Sequence, residues 1–269
     1  MKVLVSSKEI GGITTYVSRK GAEILTTWQS FKLICQYFEI HSMDYQNHLL
    51  CLLLRLTGST YDIYIHGDGY SRKVGFKLLL FKAILHTAKN VYCVNSSIAL
   101  DISKRFKVAT LTFNPFIPPP LKDIDYPASL IRYLKTHDPV LMSCSAKNIK
   151  INGIDLYGLD MCENLYKRLQ GNFPDIGFVY ATTDTTESDS LYVLRNYNII
   201  GLYEFIDIFI RPTFQDGYGI SIDEAIFFGT KVVASDCCER NPQAILFKTR
   251  DDNDLFLKVF KTLTKCIKK

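Results

Sequence analysis

The chain has 269 residues, 47% hydrophobic and 22% charged, a core-forming composition that excludes an intrinsically disordered protein and suits one large or two ordinary domains. Its net charge of +5 is mild, compatible with an anionic small molecule or an anionic membrane surface, and does not mark a nucleic-acid-binding protein. The eight cysteines are scattered, with no C-x-x-C and no Cys/His metal spacing, so they read as free thiols in a reducing compartment.

Residues 3–5 form an apolar first strand, and nothing before them resembles the long apolar core of a signal peptide. The periodicity then predicts helices over 14–25, 45–56, 73–86 and 97–106, with strands at 31–35, 63–65 and 91–94. The most lipophilic run, 49–54, is too short to cross a bilayer. Pro115, Pro118, Pro119 and Pro120 forbid helix and favour an extended connector somewhere within 115–138. The expected division is a first domain over 1–120, a linker over 121–138 and a second domain over 139–269.

After the connector the alternation restarts. Strands are expected at 140–144, 176–180, 205–210 and 231–234, with helices at 156–169, around Leu191, and between the last two strands, ending at Gly229. Strands alternating with helices in both halves predict an α/β chain of two Rossmann-like α/β/α domains facing a cleft. The end of the chain is amphipathic: Leu255, Val259, Phe260, Leu263 and Ile267 share one face, and Lys258, Lys261 and Lys265 the other. That helix either packs on the protein or lies on an anionic membrane, to which Lys73, Lys77 and Lys82 would add.

The run from Phe209 to Ala225 carries the most chemistry. A buried strand, a Gly-containing turn and a helix place Asp216 and Glu224 on either side of the helix start. Gly217 and Gly219, with Tyr218 between them, let backbone approach a ligand, and first-turn amides offer unpaired N–H groups to an anion. Glu224 lies beside an apolar face, where an unpaired carboxylate is costly, so it needs a partner. Arg211, at the strand's end, either orients Asp216 or forms a structural ion pair with it.

This segment resembles the donor-binding motif of family-4 glycosyltransferases, retaining enzymes of the GT-B fold. The resemblance is carried by Asp216, Glu224-Ala225, Gly229 and Val232-Val233-Ala234-Ser235-Asp236. The family's first acid is usually Glu, and Asp216 is one methylene shorter. Further matches are looser. Gly11-Gly12 after the first strand resembles the family's amino-terminal Gly-Gly loop. Residues 155–160 resemble the start of the donor domain's first helix, and Arg240-Asn241-Pro242 with Ala244 a stretch that usually carries Arg-Pro and Gly.

The resemblance implies a retaining, metal-independent transferase, and the free thiols with no signal-peptide core or spanning run lead us to expect it in the cytoplasm or peripherally at the membrane's cytoplasmic face. It would move a sugar from a nucleotide diphosphate sugar to a hydroxyl of a glycan or lipid-linked acceptor, with no cofactor besides the donor and no nucleic-acid partner. Glu224 would hold ribose. Asp216 and the amides of Gly217, Tyr218 and Gly219 would hold the sugar, which His66 would also contact. Gly11 and Gly12 would face the diphosphate or acceptor, and Lys147, or alternatively Lys150, would neutralise the diphosphate. Family members are usually longer, and residues 198–205 leave no room for an expected strand and helix. A shortened enzyme and a non-catalytic partner or relic both remain open. A dehydrogenase is disfavoured, because Gly217-x-Gly219 lacks the third glycine of a dinucleotide fingerprint.

Overall fold

A computed structural model describes residues 2–4, 12–25, 29, 32–41, 44–120, 124–147 and 149–267. The chain divides into two units, Met1–Ile117 and Pro118–Lys269, each built on a six-stranded parallel sheet.

The first unit runs β1 (Lys2–Leu4), α1 (Gly12–Arg19), β2 (Glu23–Leu25), β3 (Tyr37–Ile40), α2 (Tyr45–Leu56), β4 (Thr60–Ile65), α3 (Gly75–Thr87), β5 (Val91–Cys93), α4 (Ser96–Phe106) and β6 (Leu111–Thr112). A 3₁₀ turn at Asp68–Arg72 precedes α3. The strand order β2-β1-β3-β4-β5-β6 reverses direction beside β1, so the switch point of this sheet lies between β1 and β3.

Two expectations here are corrected. The helix expected over 14–25 stops at Arg19, because Gly21 turns the chain at φ +66° and residues 23–25 join the sheet edge. The strand expected at 31–35 is displaced: residues 32–35 form a 3₁₀ segment and a turn, with Cys35 at φ 55°, and the strand is Tyr37–Ile40. Buried Glu39 inside β3 and His41 just after it hid that strand from a hydrophobicity reading, because both are polar and both are buried. The amino-terminal Gly-Gly loop, including Gly11, lies outside the described residues. Gly12 opens α1 and is exposed.

The second unit runs α5 (Ala128–Thr136), β7 (Val140–Ser145), β8 (Lys150–Ile151), β9 (Ile154–Asp155), α6 (Leu159–Gln170), β10 (Gly177–Thr182), β11 (Tyr192–Arg195), β12 (Ile208–Arg211), α7 (Ile220–Phe227), β13 (Lys231–Ser235), β14 (Ile245–Phe247) and α8 (Asp252–Ile267). The sheet order is β11-β10-β7-β12-β13-β14, with β8 and β9 a small antiparallel pair apart from it. The period of two is plain in β12: Ile208 and Ile210 pack with α6 and α8, while Phe209 packs on the other face with α5 and α7. β7 and β13 alternate the same way, which makes three layers, α/β/α.

Three further readings shift here. The segment expected as a linker contains α5, whose Leu130 is fully buried against the second sheet. The helix expected around Leu191 is instead edge strand β11, where Tyr192, Val193 and Leu194 pair with β10. Residues 200–205 form a 3₁₀ helix that buries Leu202 and Tyr203, so a short 3₁₀ helix replaces the expected strand and helix. The carboxyl-terminal helix is packed: Leu255, Val259 and Leu263 are about as buried as any residue in the core.

Candidate functional site

In the second sheet the chain leaves β7 toward β10 and β11, then returns to the other side of β7 as β12. The switch point is therefore the β7–β12 junction, where ligands of open parallel sheets bind at the carboxyl ends of the strands. Arg211 ends β12 there and spans the junction, donating from Nη1 to the Cys144 carbonyl of β7 at 3.0 Å. Its guanidinium also lies over the Tyr157 ring, 5.2 Å from the centroid.

Asp216 follows in the loop after β12. Arg211 donates to its Oδ2 from Nε and Nη2, both at 3.3 Å, and Arg240 donates to the same oxygen from Nη1 at 3.0 Å. Burial alone would favour the neutral acid, but the charges of Arg211 and then Arg240 outweigh it and hold the carboxyl below its ordinary range. The other oxygen accepts the Gly217 N–H at 2.9 Å, so that amide is already engaged by its neighbour's side chain.

Arg240 organises the whole turn. Its side chain is fully buried and donates to the Tyr218 carbonyl at 2.7 Å, to Thr213 Oγ1 at 3.0 Å and to the Ser235 carbonyl at 3.2 Å. Sequence reasoning quoted Arg240 within a resemblance but assigned it no role. Gly219 explains itself beside it: φ is +88°, and an added Cβ would lie 2.6 Å from Arg240 Nη1.

Glu224 sits in the second turn of α7 and is only 6% exposed, as an acid beside an apolar face must be partnered to be. Tyr203, carried by the 3₁₀ segment, donates to its Oε2 at 3.4 Å. Burial, Cys144 and Glu224 push the Tyr203 phenol well above its ordinary range, so it remains a donor. The neighbouring Asp223 accepts from the Asn241 amide, which ties α7 to the loop after β13.

A second anion-type position near this junction is filled internally. Asp155 accepts the amides of Tyr157 at 2.8 Å, Gly158 at 3.1 Å and Leu159 at 3.3 Å at the start of α6. Gly158, at φ +73°, brings that start against Pro212, whose carbonyl oxygen would lie 2.8 Å from an added Cβ. Lys147 follows the end of β7 and Lys150 lies in β8. Both are exposed, and no described contact joins either to Asp216 or Glu224.

His66 belongs to the first unit, just past β4, and is half-buried. Its Nε2 is 2.8 Å from His41 Nδ1, and His41 Nε2 is 3.2 Å from Glu39 Oε2. Glu39 receives Lys20 Nζ at 2.8 Å on both oxygens and the Tyr64 hydroxyl at 3.2 Å. His41 follows β3 and its amide bonds the Leu4 carbonyl, so the chain of groups stands at the carboxyl edge, at that sheet's own switch point. Sequence reasoning named His66 alone. The hint it passed over was Glu39-Ile40-His41, two ionisable residues on either side of a buried Ile.

No protein-family model matches the chain, and no curated protein sequence does. Solved structures do. Anabaena HepE in complex with UDP-glucose superposes with TM-score 0.67 at 13% identity, over 99% of this chain and 90% of that one. The trehalose-6-phosphate synthase OtsA gives TM-score 0.64 at 12% identity, over 98% and 91%. TarM gives 0.66 at 12% identity, over 89% of this chain, which spans about half (51%) of TarM's length. At such identities the likeness is one of fold. Two parallel six-stranded sheets flanked by helices, matched nearly end to end, make this chain a GT-B fold.

Proposed function

We propose that the protein is a retaining glycosyltransferase that takes a nucleotide diphosphate sugar as donor and a hydroxyl of a glycan or lipid-linked saccharide as acceptor. The observation that carries this reading is the pair of carboxylates at the β7–β12 switch point: Asp216, kept ionised by two arginines, and buried Glu224. The likeness to HepE, solved in complex with UDP-glucose, and to the trehalose-6-phosphate synthase OtsA supports it.

In this reading Glu224 accepts the ribose hydroxyls, since one carboxylate accepts two vicinal hydroxyls side by side. Asp216 accepts sugar hydroxyls, and its negative charge is fixed in place before any ligand arrives. The amides of Tyr218 and Gly219 complete that contact. Negative charge grows on the departing diphosphate as the glycosidic bond breaks, and cationic groups must meet it. Arg211 and Arg240 are committed to Asp216, which leaves the exposed Lys147 or Lys150 for the diphosphate. No second carboxylate stands in for a nucleophile in this scheme, so retention proceeds by front-face attack. No metal enters it.

The acceptor side of the reading is a lipid-linked saccharide at an anionic membrane surface. The carboxyl-terminal helix cannot supply that surface, because its apolar face is core. The adjacent helices α2 and α3 can. Leu53, Leu56, Val74, Phe76 and Leu79 on and beside them are between 53% and 85% exposed. The charged residues of α2 and α3 are Arg55, Lys77 and Lys82, with no acid. Exposed apolar tips among cations fit an interfacial helix pair on anionic lipid. Among the described residues no helix is long and apolar enough to cross a membrane.

Calorimetric titration with a panel of nucleotide diphosphates and nucleotide sugars, on wild type and Glu224→Gln, tests the donor reading. Binding confined to one nucleotide and weakened at least tenfold in the variant is expected. A folded wild type that binds none of them would leave a non-catalytic protein of the same fold.

A further inference from the structure

The Lys20–Glu39–His41–His66 chain in the first unit is more than packing. We infer that it fixes His66 in a single neutral tautomer, with Nε2 protonated and Nδ1 a bare lone pair, so that His66 presents a hydrogen-bond acceptor for a ligand hydroxyl. Glu39 and His41 are then positioning residues. The hydroxyl-bearing ligand rests on the glycosyl-transfer reading above, whereas the tautomer does not.

Glu39 has both oxygens within 2.8 Å of the Lys20 ammonium. Burial works against its charge, but hydrogen bonds from His41 and Lys20, with the Lys20 charge, outweigh it and hold the carboxyl below its ordinary range. An ionised carboxylate only accepts, so the 3.2 Å contact requires a proton on His41 Nε2. Burial holds the His41 imidazole below its usual range, which keeps it neutral, so His41 Nδ1 carries a lone pair. A lone pair 2.8 Å from His66 Nε2 requires the proton there to belong to His66. Burial, and then the nearness of His41 and Lys20, hold His66 well below its usual range, so it too is neutral and its Nδ1 is bare.

The rings are held as firmly as the protons. Tyr64 stacks on His41 at 4.4 Å between centroids and 9° between planes. Phe113 stands edge-on to His66 at 5.3 Å, and Tyr16 edge-on at 5.7 Å. Tyr64 also donates to Glu39, so the same phenol that clamps the His41 ring anchors the carboxylate that sets its tautomer. Among the described residues His66 Nδ1 receives no hydrogen bond. A hydroxyl donating to that atom would meet an acceptor whose tautomer and ring plane are set beforehand, which cuts the ordering cost of the contact. The sheet topology puts this atom where a parallel α/β unit binds ligands, at the carboxyl edge beside its switch point.

The decisive experiment is long-range proton–nitrogen NMR of the full chain labelled at histidine nitrogen. At pH 7.5 the wild type should show His66 protonated at Nε2 alone and His41 likewise. A proton on His66 Nδ1, or a charged His66 at that pH, overturns the inference without any variant being made. In Glu39→Gln and His41→Phe the constraint is gone, and His66 should become a mixture of tautomers while the folded spectrum persists. An unchanged single tautomer in both variants would equally overturn the relay. With a nucleotide sugar that binds the wild type, the Nδ1 resonance should shift, and kcat/KM in His41→Phe should fall in proportion to the competent tautomer lost, about twofold for an even mixture. Binding that leaves Nδ1 unmoved would overturn the hydroxyl role. If no nucleotide sugar binds at all, the glycosyl-transfer reading fails while the tautomer result still decides the relay.

Discussion

Arg240 Nη1 donates to Asp216 Oδ2 at 3.0 Å across 24 residues of sequence, and this bond joins the loop after β13 to the loop after β12. Arg211 meets the same oxygen from the end of β12, so two arginines share one carboxylate at the switch point. The partners differ in what else holds them: Arg240 has five further acceptor atoms around it, Arg211 the carbonyl and sulfur of Cys144 and a ring.

That difference sets the first expectation. Arg240→Ala leaves Thr213, Ser235 and Tyr218 without their donor and removes a fully buried partner of Asp216. It should destabilise the protein by about 3–5 kcal/mol in urea unfolding. Arg211→Ala should cost less, because Arg240 remains on Asp216. An Arg240→Ala cost below about 1 kcal/mol would mean that the cluster is ornamental to stability.

Glycine positions offer a cleaner test. Gly219→Ala and Gly158→Ala each force positive φ on an L-residue and press Cβ on Arg240 or on the Pro212 carbonyl, so each should cost about 1–3 kcal/mol. Gly171→Ala is the control: its φ of −66° and ψ of −21° are helical, and nothing lies within 4 Å of the added carbon. It should be neutral or slightly stabilising in the same thermal melts.

Stability should fall with acid in two stages. His41 and His66 have folded pKa values below the ordinary one, so the unfolded chain binds protons first, and stability drops as pH falls below about 6.5. Asp216 and Glu39 are likewise depressed, and their contribution is lost as pH falls further, below the usual carboxylate range near 4. Urea midpoints between pH 7.5 and 5 should therefore slope downward in the wild type and flatten in His41→Phe/His66→Phe.

Cys237 Sγ is 3.2 Å from Arg240 Nη2, and a hydrogen bond from Cys238, aided by the arginine's charge, makes its thiol more acidic than usual. Burial pushes Cys51, Cys93 and Cys162 the other way. Iodoacetamide at pH 7 should label Cys237 well ahead of those three, as read by peptide mass spectrometry. Labelling there should also weaken nucleotide-sugar binding, because the adduct crowds the arginine that holds Asp216.

The α2–α3 surface predicts cosedimentation with vesicles containing phosphatidylglycerol and little with pure phosphatidylcholine. Phe76→Ser/Leu79→Ser should lower the bound fraction several-fold with no change in melting temperature, since both side chains are already exposed. Binding to neither vesicle, or dimerisation through this face in sedimentation, would move the acceptor away from lipid.

Much of the architecture was legible from residue order alone. Apolar runs at β4, β7, β10, β12 and β13 stand out because a strand buried on both faces reads as continuous hydrophobic sequence. The placement of Asp216 and Glu224 around a strand-to-helix turn was legible for a related reason: the glycines that break the apolar run of β12 and the apolar period of α7 mark where the strand ends and the helix begins. Strands β3 and β11 were not legible. Buried Glu39 breaks the hydrophobic run of β3, and edge strand β11 has only partly buried side chains at two of its four positions.

The sequence by itself determined the α/β alternation and the strand-to-helix turn that carries the two acids, because each depends on spacing along the chain. Only the tertiary structure decided which cation meets which acid. Arg240 reaches Asp216, and Glu39 reaches His41 and Lys20, through strands laid side by side, and a buried charge takes its partner from whatever the sheet order brings within about 3 Å, wherever that partner lies in sequence.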